Sequence, residues 1–72
     1  MTDNVLNYLK QNEGKCFRVL FDTGNSILCN FDGYCYDYDE DDNEVLELTF
    51  FDLKTKTYVD ATPSEIVMIE AV

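Results

Sequence analysis

The spacing of apolar residues changes once along the chain, from helical near the N-terminus to alternating beyond residue 15. In the first segment the apolar positions fall on one helical face, at Val5, Leu6 and Leu9. This spacing predicts a short helix that begins at Thr2, its expected cap, and ends at about Asn12, with Asp3 near the positive end of the helix dipole. Glu13-Gly14 is expected to end the helix.

From Cys16 onward apolar residues alternate with polar ones, which is typical of strands with one buried face. One face of the first strand carries Phe17, Val19 and Phe21. One face of a later strand carries Leu46, Leu48 and Phe50. Turn-forming residues, including Asp22-Thr23-Gly24-Asn25, separate the predicted strands. The strands are residues 16–21, 26–31, a third that begins at residue 34, 45–51, 57–61 and 66–69.

The pair Asp32-Gly33 is the strongest local turn signal in the chain. A two-residue type I′ turn needs positive φ at both central positions, and Asp-Gly supplies it. We therefore predict a hairpin with its turn at this pair. The residues that the turn brings face to face are Phe31 with Tyr34 and Cys29 with Tyr36. Because Cys35 then points to the opposite side, this register excludes a disulfide between Cys29 and Cys35.

The C-terminal segment begins with a signal for a helical turn and ends with a signal for a strand. Thr62-Pro63-Ser64-Glu65 has the form of a capping box with proline at the first helical position. Residues 66–69 are mostly β-branched, which favours a closing strand. The predicted fold class for residues 1–72 is mainly β (α+β), as a single domain. It has a short N-terminal helix followed by a bent five- or six-stranded antiparallel sheet or small barrel.

The composition agrees with a folded domain and adds a strong negative charge. Hydrophobic residues make up 46% of the chain, with five Phe and five Tyr, whereas disordered acidic tails are poor in aromatic residues. Fifteen acidic residues, five basic residues and no His give a formal net charge of −10. This charge disfavours direct binding to nucleic acid or to an anionic membrane and favours a basic partner. The alternative is that the charge only keeps an aromatic-rich protein soluble.

The cysteines predict a reducing compartment. There are three, at Cys16, Cys29 and Cys35, an odd number without C-x-x-C spacing. We therefore expect free thiols and a cytoplasmic location. The N-terminal residues show no secretory signal pattern, and no apolar run in the sequence approaches membrane-spanning length.

Several short segments resemble the Sm-like family of small β-barrels. Gly14-Lys15, followed by Phe17, Val19 and Phe21, resembles the start of the first Sm strand. Asp22-Thr23-Gly24 resembles the turn that follows that strand. Asp39 and the run Asn43-Glu44-Val45-Leu46 resemble the acidic, Asn-containing stretch that follows the second and third strands. The resemblance covers about residues 3–70 and implies an N-terminal helix before a strongly bent five-stranded sheet. RNA binding does not follow from it, because residues 53–70 lack the glycine of the family's second motif and the net charge is unsuited to RNA.

Two other segments resemble parts of SH3 domains. They are Tyr36-Asp37-Tyr38-Asp39 and Pro63-Ser64, the latter before Ile66-Val67. The spacing between them is shorter than in SH3 domains, and the chain has no Trp to line a groove for proline-rich peptides.

The sequence offers little for catalysis. A nucleophile such as Cys16 or Ser26 lacks its commonest base because the chain has no His. Carboxylates in a solvated run are poor candidates for the tuned roles of a general acid or base. We predict a binding protein rather than an enzyme, without a cofactor.

A calcium loop can be tested directly against its motif. Three residues have the first spacings of an EF-hand loop: Asp37, Asp39 and Asp41. The position that requires Gly is Asp42, and the position that requires a bidentate Glu is Leu48. A frame that starts at Asp39 places Phe50 at that last position. The sequence therefore excludes a dedicated EF-hand, although weak calcium binding stays open. A structural zinc site is not expected either, because the three Cys are scattered and the chain has no His.

The acidic segment, residues 37–44, is the best candidate for a function. Its six carboxylates are Asp37, Asp39, Glu40, Asp41, Asp42 and Glu44. In extended form it spans roughly 26 Å with about one charge per 4.4 Å, similar to the ~3.4 Å per charge of one DNA strand. The neighbouring tyrosines, at strand spacing, are candidates for flat contacts at the same interface: Tyr34, Tyr36 and Tyr38. The alternative is that the segment is a mobile, solvated loop and the tyrosines cover the core.

In size and composition the chain resembles the small acidic proteins with which phages and other mobile elements block nucleic-acid-binding host enzymes. This class includes DNA mimics and anti-CRISPR proteins, and the resemblance involves no shared motif. It implies a non-enzymatic inhibitor whose acidic segment occupies a basic groove of a nucleic-acid-binding protein. The alternative is an Sm-like or SH3-like structural module that self-assembles or docks a protein partner through its sheet edges.

Overall fold

One helix and five strands make up the structure, a computed structural model that describes residues 2–72, with side chains from Asn4 onward. The elements are α1 (Thr2–Gln11), β1 (Cys16–Phe21), β2 (Ser26–Tyr38), β3 (Glu44–Asp52), β4 (Thr57–Ala61) and β5 (Ile66–Ala71). A single 3-10 turn, Pro63–Glu65, joins β4 to β5. The predicted mainly β fold class is confirmed. The predicted roles of the Thr2 and Asp3 side chains lie outside the described part of the chain.

All five strands belong to one antiparallel sheet with the order β4-β3-β2-β1-β5. The strands β4 and β5 are its two edges, and the sheet is not closed into a barrel. Of the forms that the sequence predicted, the five-stranded open sheet is therefore the one observed.

The predicted hairpin at Asp32-Gly33 is wrong, because β2 continues through both residues. Neither residue has the positive φ that a type I′ turn requires. The strand β3 pairs with β2 as far as Phe31 and again from Gly33, which leaves Asp32 as a bulge. The residues predicted to face each other across the turn instead lie along one strand, where they face β3. The observed pairs are Cys29 with Asp52, Phe31 with Phe50, Tyr34 with Leu48 and Tyr36 with Leu46.

The core lies between α1 and one face of the sheet. Its buried apolar side chains are Leu6, Leu9, Phe17, Val19, Cys29, Leu46, Leu48, Phe50 and Ala61. The helix is fixed to the sheet by Tyr8, whose ring packs edge-on against Phe17 at 6.1 Å and whose hydroxyl accepts the Ala71 N–H at 2.8 Å. The alternating pattern therefore predicted the buried faces of β1 and β3 correctly.

The turn between β3 and β4 is held by a buried carboxylate. Asp52 Oδ1 accepts the backbone N–H groups of Lys54 at 2.9 Å and of Thr55 at 3.3 Å. The bond from Lys54 is the main reason that the pKa of Asp52 lies below its ordinary value of 3.8. This carboxylate has a structural role at the end of the sheet opposite the acidic segment.

Candidate functional site

The acidic segment lies at the end of a two-stranded ribbon that extends beyond the five-stranded body. The strand β1 pairs with β2 only as far as Asn30, and β4 pairs with β3 only from Leu48. Between these limits, residues 33–38 of β2 have β3 as their only neighbouring strand, and residues 44–47 of β3 have β2 as theirs, within the described chain. We call these residues, together with the connecting loop 39–43, the acidic arm.

The loop of the acidic arm is ordered by one of its own carboxylates. Asp39 Oδ1 accepts the N–H groups of Asp41 and Asn43, each at 2.9 Å. Main-chain bonds from Asp39 N–H to the Asn43 carbonyl and from Asp42 N–H to the Asp39 carbonyl, both 3.0 Å, close the turn. Asp42 has φ 60°, which a short polar residue tolerates better than most. The loop therefore has a defined conformation that depends on Asp39.

The six predicted carboxylates are close together but do not form the predicted extended strip. Asp37 lies near the end of β2 and Glu44 begins β3. The chain reverses between them, so that the other four lie in the loop: Asp39, Glu40, Asp41 and Asp42. All six are exposed. The charges are therefore concentrated at the end of a ribbon instead of along 26 Å of extended chain.

The three predicted tyrosines lie on one face of the arm. Tyr34 and Tyr36 face the buried residues Leu48 and Leu46, so this is the face that continues from the core. The exposed fractions increase toward the loop, from 43% to 50% and 64% for Tyr34, Tyr36 and Tyr38. The rings of Tyr34 and Tyr36 meet edge to face at 6.1 Å. The tyrosines extend the aromatic face beyond the core to the acidic loop.

Basic residues are absent from the arm and from the strands that form it. The sequence has no Lys or Arg between Arg18 and Lys54, whereas the same stretch contains ten Asp and Glu residues. Along the sequence the positive charges therefore lie on either side of this stretch. The arm therefore contributes no positive side chain of its own.

Three further residues lie in or near the arm and were not among the predicted site residues. Glu47 faces Cys35 on the side opposite the tyrosines, and Asp60 on β4 accepts a 2.8 Å hydrogen bond from the Thr49 hydroxyl. The Lys10 ammonium lies 4.9 Å from the centre of the Tyr34 ring. Glu47 could have been predicted from the alternation of residues 44–50, which places it on the face of the strand opposite Leu46 and Leu48. Nothing in the sequence spacing indicated that Lys10 would lie over Tyr34.

The thiols and the described carboxylates do not form a metal site. The three cysteines are free, as predicted, with Cys29 buried and Cys35 exposed. Burial, and secondly the nearby Asp52 carboxylate, raise the pKa of Cys29 to about 12, which makes this thiol inert. Among the described side chains, no group of three or more His, Cys, Asp or Glu is arranged to hold a metal ion.

Comparisons with known proteins give no match. No protein-family model, curated protein or solved structure resembles the chain significantly. In the described part of the chain, no helix has the length and apolar character needed to cross a membrane.

Proposed function

We propose that this chain is a non-enzymatic binding protein whose acidic arm occupies a basic groove of a nucleic-acid-binding protein. The observation that carries the proposal is the concentration of six exposed carboxylates at the end of a ribbon that contains no Lys or Arg. The proposed class is that of small inhibitors made by phages and other mobile elements, including anti-CRISPR proteins. The free cysteines support a cytoplasmic location.

The folded arm has a charge density suited to a groove that binds phosphates. Six residues of β2 span roughly 20 Å at about 3.3 Å each. With Glu47 added to the six predicted carboxylates, seven negative charges lie within this length and are gathered toward the loop, which is a density at least equal to the one charge per about 3.4 Å of a DNA strand. Binding of the arm in a groove lined by Lys and Arg would release counterions into solution, as the binding of DNA does.

The order of the arm also favours binding. Because Asp39 fixes the loop in the free protein, less conformational entropy is lost when a partner holds it. The exposed tyrosines add flat amphipathic surface beside the charges, a composition common at protein interfaces. The charges would speed encounter with the partner, and the aromatic face would lengthen the lifetime of the complex.

The experiment is affinity capture from a host lysate at low salt with three proteins. The first is the natural chain. The second is an arm variant, in which the six carboxylates Asp37, Asp39, Glu40, Asp41, Asp42 and Glu44 are changed to Asn or Gln. The third is a matched variant with six exposed changes elsewhere, at Glu13, Asp22, Asp32, Asp60, Glu65 and Glu70. Both variants have the same net charge of −4, since each removes six negative charges from −10.

Amide side chains keep the acceptor oxygens that the fold uses. Asn at position 39 still accepts the two loop N–H groups, and Gln at position 65 still accepts the Thr62 N–H at the 3-10 turn. We expect the natural chain and the matched variant to capture the same nucleic-acid-binding protein, and the arm variant to lose it. Equal loss with both variants would mean that the effect is one of overall charge, and the proposal would be rejected.

A second candidate function is a structural module that self-assembles or docks a partner through its sheet edges. It is supported by the two open edges of the sheet and by the exposed Val67 and Met68 on the edge strand β5. The mass in solution at low and high salt separates the candidates. An assembly that persists at high salt favours the module, and a monomer that competes with DNA for a basic protein favours the inhibitor.

A further inference from the structure

The arm has an open strand edge as well as negative charge. On the β1 side of β2, pairing ends at Asn30 because β1 begins at Cys16. Within residues 2–72, no strand lies beside β2 from Phe31 to Tyr38 on that side. This part of β2 is therefore an edge even though β2 is the central strand of the sheet.

The pairing pattern shows which backbone groups point outward along this edge. The Asp39 N–H bonds to the Asn43 carbonyl, which makes these two residues a hydrogen-bonded pair. Bonded and non-bonded pairs alternate in an antiparallel ladder, so that Cys35 and Asp37 bond to β3, whereas Tyr34 and Tyr36 point their N–H and C=O groups away from it. The Tyr38 N–H agrees with this pattern, because it bonds at 2.8 Å to the Asp37 side chain and not to β3.

A groove lies along the lower part of the same edge. It has a volume of about 730 Å³ and lies between residues 30–34 of β2 and the segment from the end of α1 to Lys15. The groove lies next to the start of β1, whose Phe17 is among its lining residues. A strand added beside residues 31–38 of β2 would have one end at this groove.

We infer that this edge binds an extended, arginine-bearing segment of a protein partner by adding it to the sheet as a strand beside β2. Two outward-facing residues, Tyr34 and Tyr36, supply backbone donors and acceptors. Alternate side chains of the segment would lie on the face of the tyrosine rings, with an arginine beside Tyr36, because the Lys10 ammonium already lies 4.9 Å from the Tyr34 ring centre. The others would lie on the face of Asp37, near the acidic loop.

Arginine is the basic residue that fits both faces of the arm. Its guanidinium stacks on aromatic rings and pairs bidentately with carboxylates, which lysine does less well. The inference rests on the proposed function only in taking the partner to be basic. It differs from that function in requiring backbone hydrogen bonds and not charge alone.

The test uses the full chain and a synthetic nine-residue peptide that alternates arginine with threonine. Two further peptides have N-methyl groups on every second backbone nitrogen, in opposite phases. The charge is identical in all three, but each methylated peptide lacks the N–H donors of one edge. Amide hydrogen exchange by NMR, with and without peptide, reports on Tyr34 and Tyr36.

We expect the unmethylated peptide to slow exchange at the Tyr34 and Tyr36 amides about tenfold or more. One methylated peptide should bind at least about tenfold more weakly, and the other should bind like the parent, because only one edge faces β2. Equal binding by all three peptides without protection of these amides would overturn strand addition and leave the proposed function intact. Protection that arises without peptide, together with a dimer, would identify a second copy of the chain as the occupant and overturn the inference.

Variants at Tyr36 provide an independent check. Y36P removes the outward N–H, which does not bond to β3, and proline is tolerated at such edge positions. Y36A removes the ring and keeps the N–H. We expect Y36P to weaken peptide binding about tenfold beyond Y36A. Equal affinities would overturn the role of the backbone, and unchanged affinity in the arm variant would overturn the choice of an arginine-bearing segment.

Discussion

Replacement of Asp39 by alanine tests whether one carboxylate orders the acidic loop. In the structure its Oδ1 accepts two backbone N–H groups, from Asp41 and Asn43, each at 2.9 Å. A hydrogen bond of this kind contributes a net ~0.5–1.5 kcal/mol, and since both are exposed the pair contributes about 1–2 kcal/mol. D39A should therefore increase local opening of the loop by roughly 5- to 30-fold.

Amide hydrogen exchange measures this opening at Asp41 and Asn43. The melting temperature should change much less, because the loop can open while the core stays folded. The control is D39N, which removes the same charge and keeps the acceptor oxygen, so that exchange should stay close to that of the natural chain. Equal acceleration by D39A and D39N would refute the role of the hydrogen bonds and indicate an effect of charge.

Three other predictions concern the core, the β3–β4 turn and the thiols. Phe50 is fully buried, and F50A should lower the free energy of unfolding by about 3–5 kcal/mol, measured by urea denaturation; a loss below about 1 kcal/mol would contradict its central place in the core. Folding lowers the pKa of Asp52, so the ionised carboxylate stabilises the folded protein. This contribution is fully present above the ordinary pKa of 3.8 and is lost as the pH falls through the lower pKa of the folded protein. The melting temperature should therefore fall in this acid range, and D52N should flatten the fall; an unchanged profile in D52N would assign the acid sensitivity to other groups. Iodoacetamide should label exposed Cys35 rapidly at pH 8 and buried Cys29 only after unfolding, as read by mass spectrometry, and equal rates would contradict the assigned burial.

The regular parts of the fold follow from local sequence patterns. The bounds of β1 and β4 match the predicted strands, and the 3-10 turn begins at the predicted proline. In each of these segments the residue spacing and the turn-forming residues at its ends agree with the tertiary contacts. Local and global preferences coincide there, so the pattern was sufficient.

The error at Asp32-Gly33 shows where local patterns are insufficient. The pair favours a tight turn, but β3 pairs with β2 on both sides of it, and this continuous pairing outweighs the turn preference of two residues. The chain instead reverses at residues 39–43, where Asp42 adopts positive φ. The sequence pattern correctly predicted that most of the acidic residues lie in a connection between two strands. Their arrangement at the end of a ribbon, however, depends on this long-range pairing. The open edge of β2 depends on it too, and no local signal indicated that edge.

Competition with DNA is the most direct test of the central claim that the acidic arm takes the place of a nucleic acid. The measurement is a titration of the captured partner, bound to labelled DNA, with the natural chain, the arm variant and the matched variant. We predict that the natural chain and the matched variant displace the DNA at similar concentrations, whereas the arm variant needs a concentration about tenfold higher or does not displace it. Binding of the chain while the DNA stays bound, or equal weakening of both variants, would contradict it.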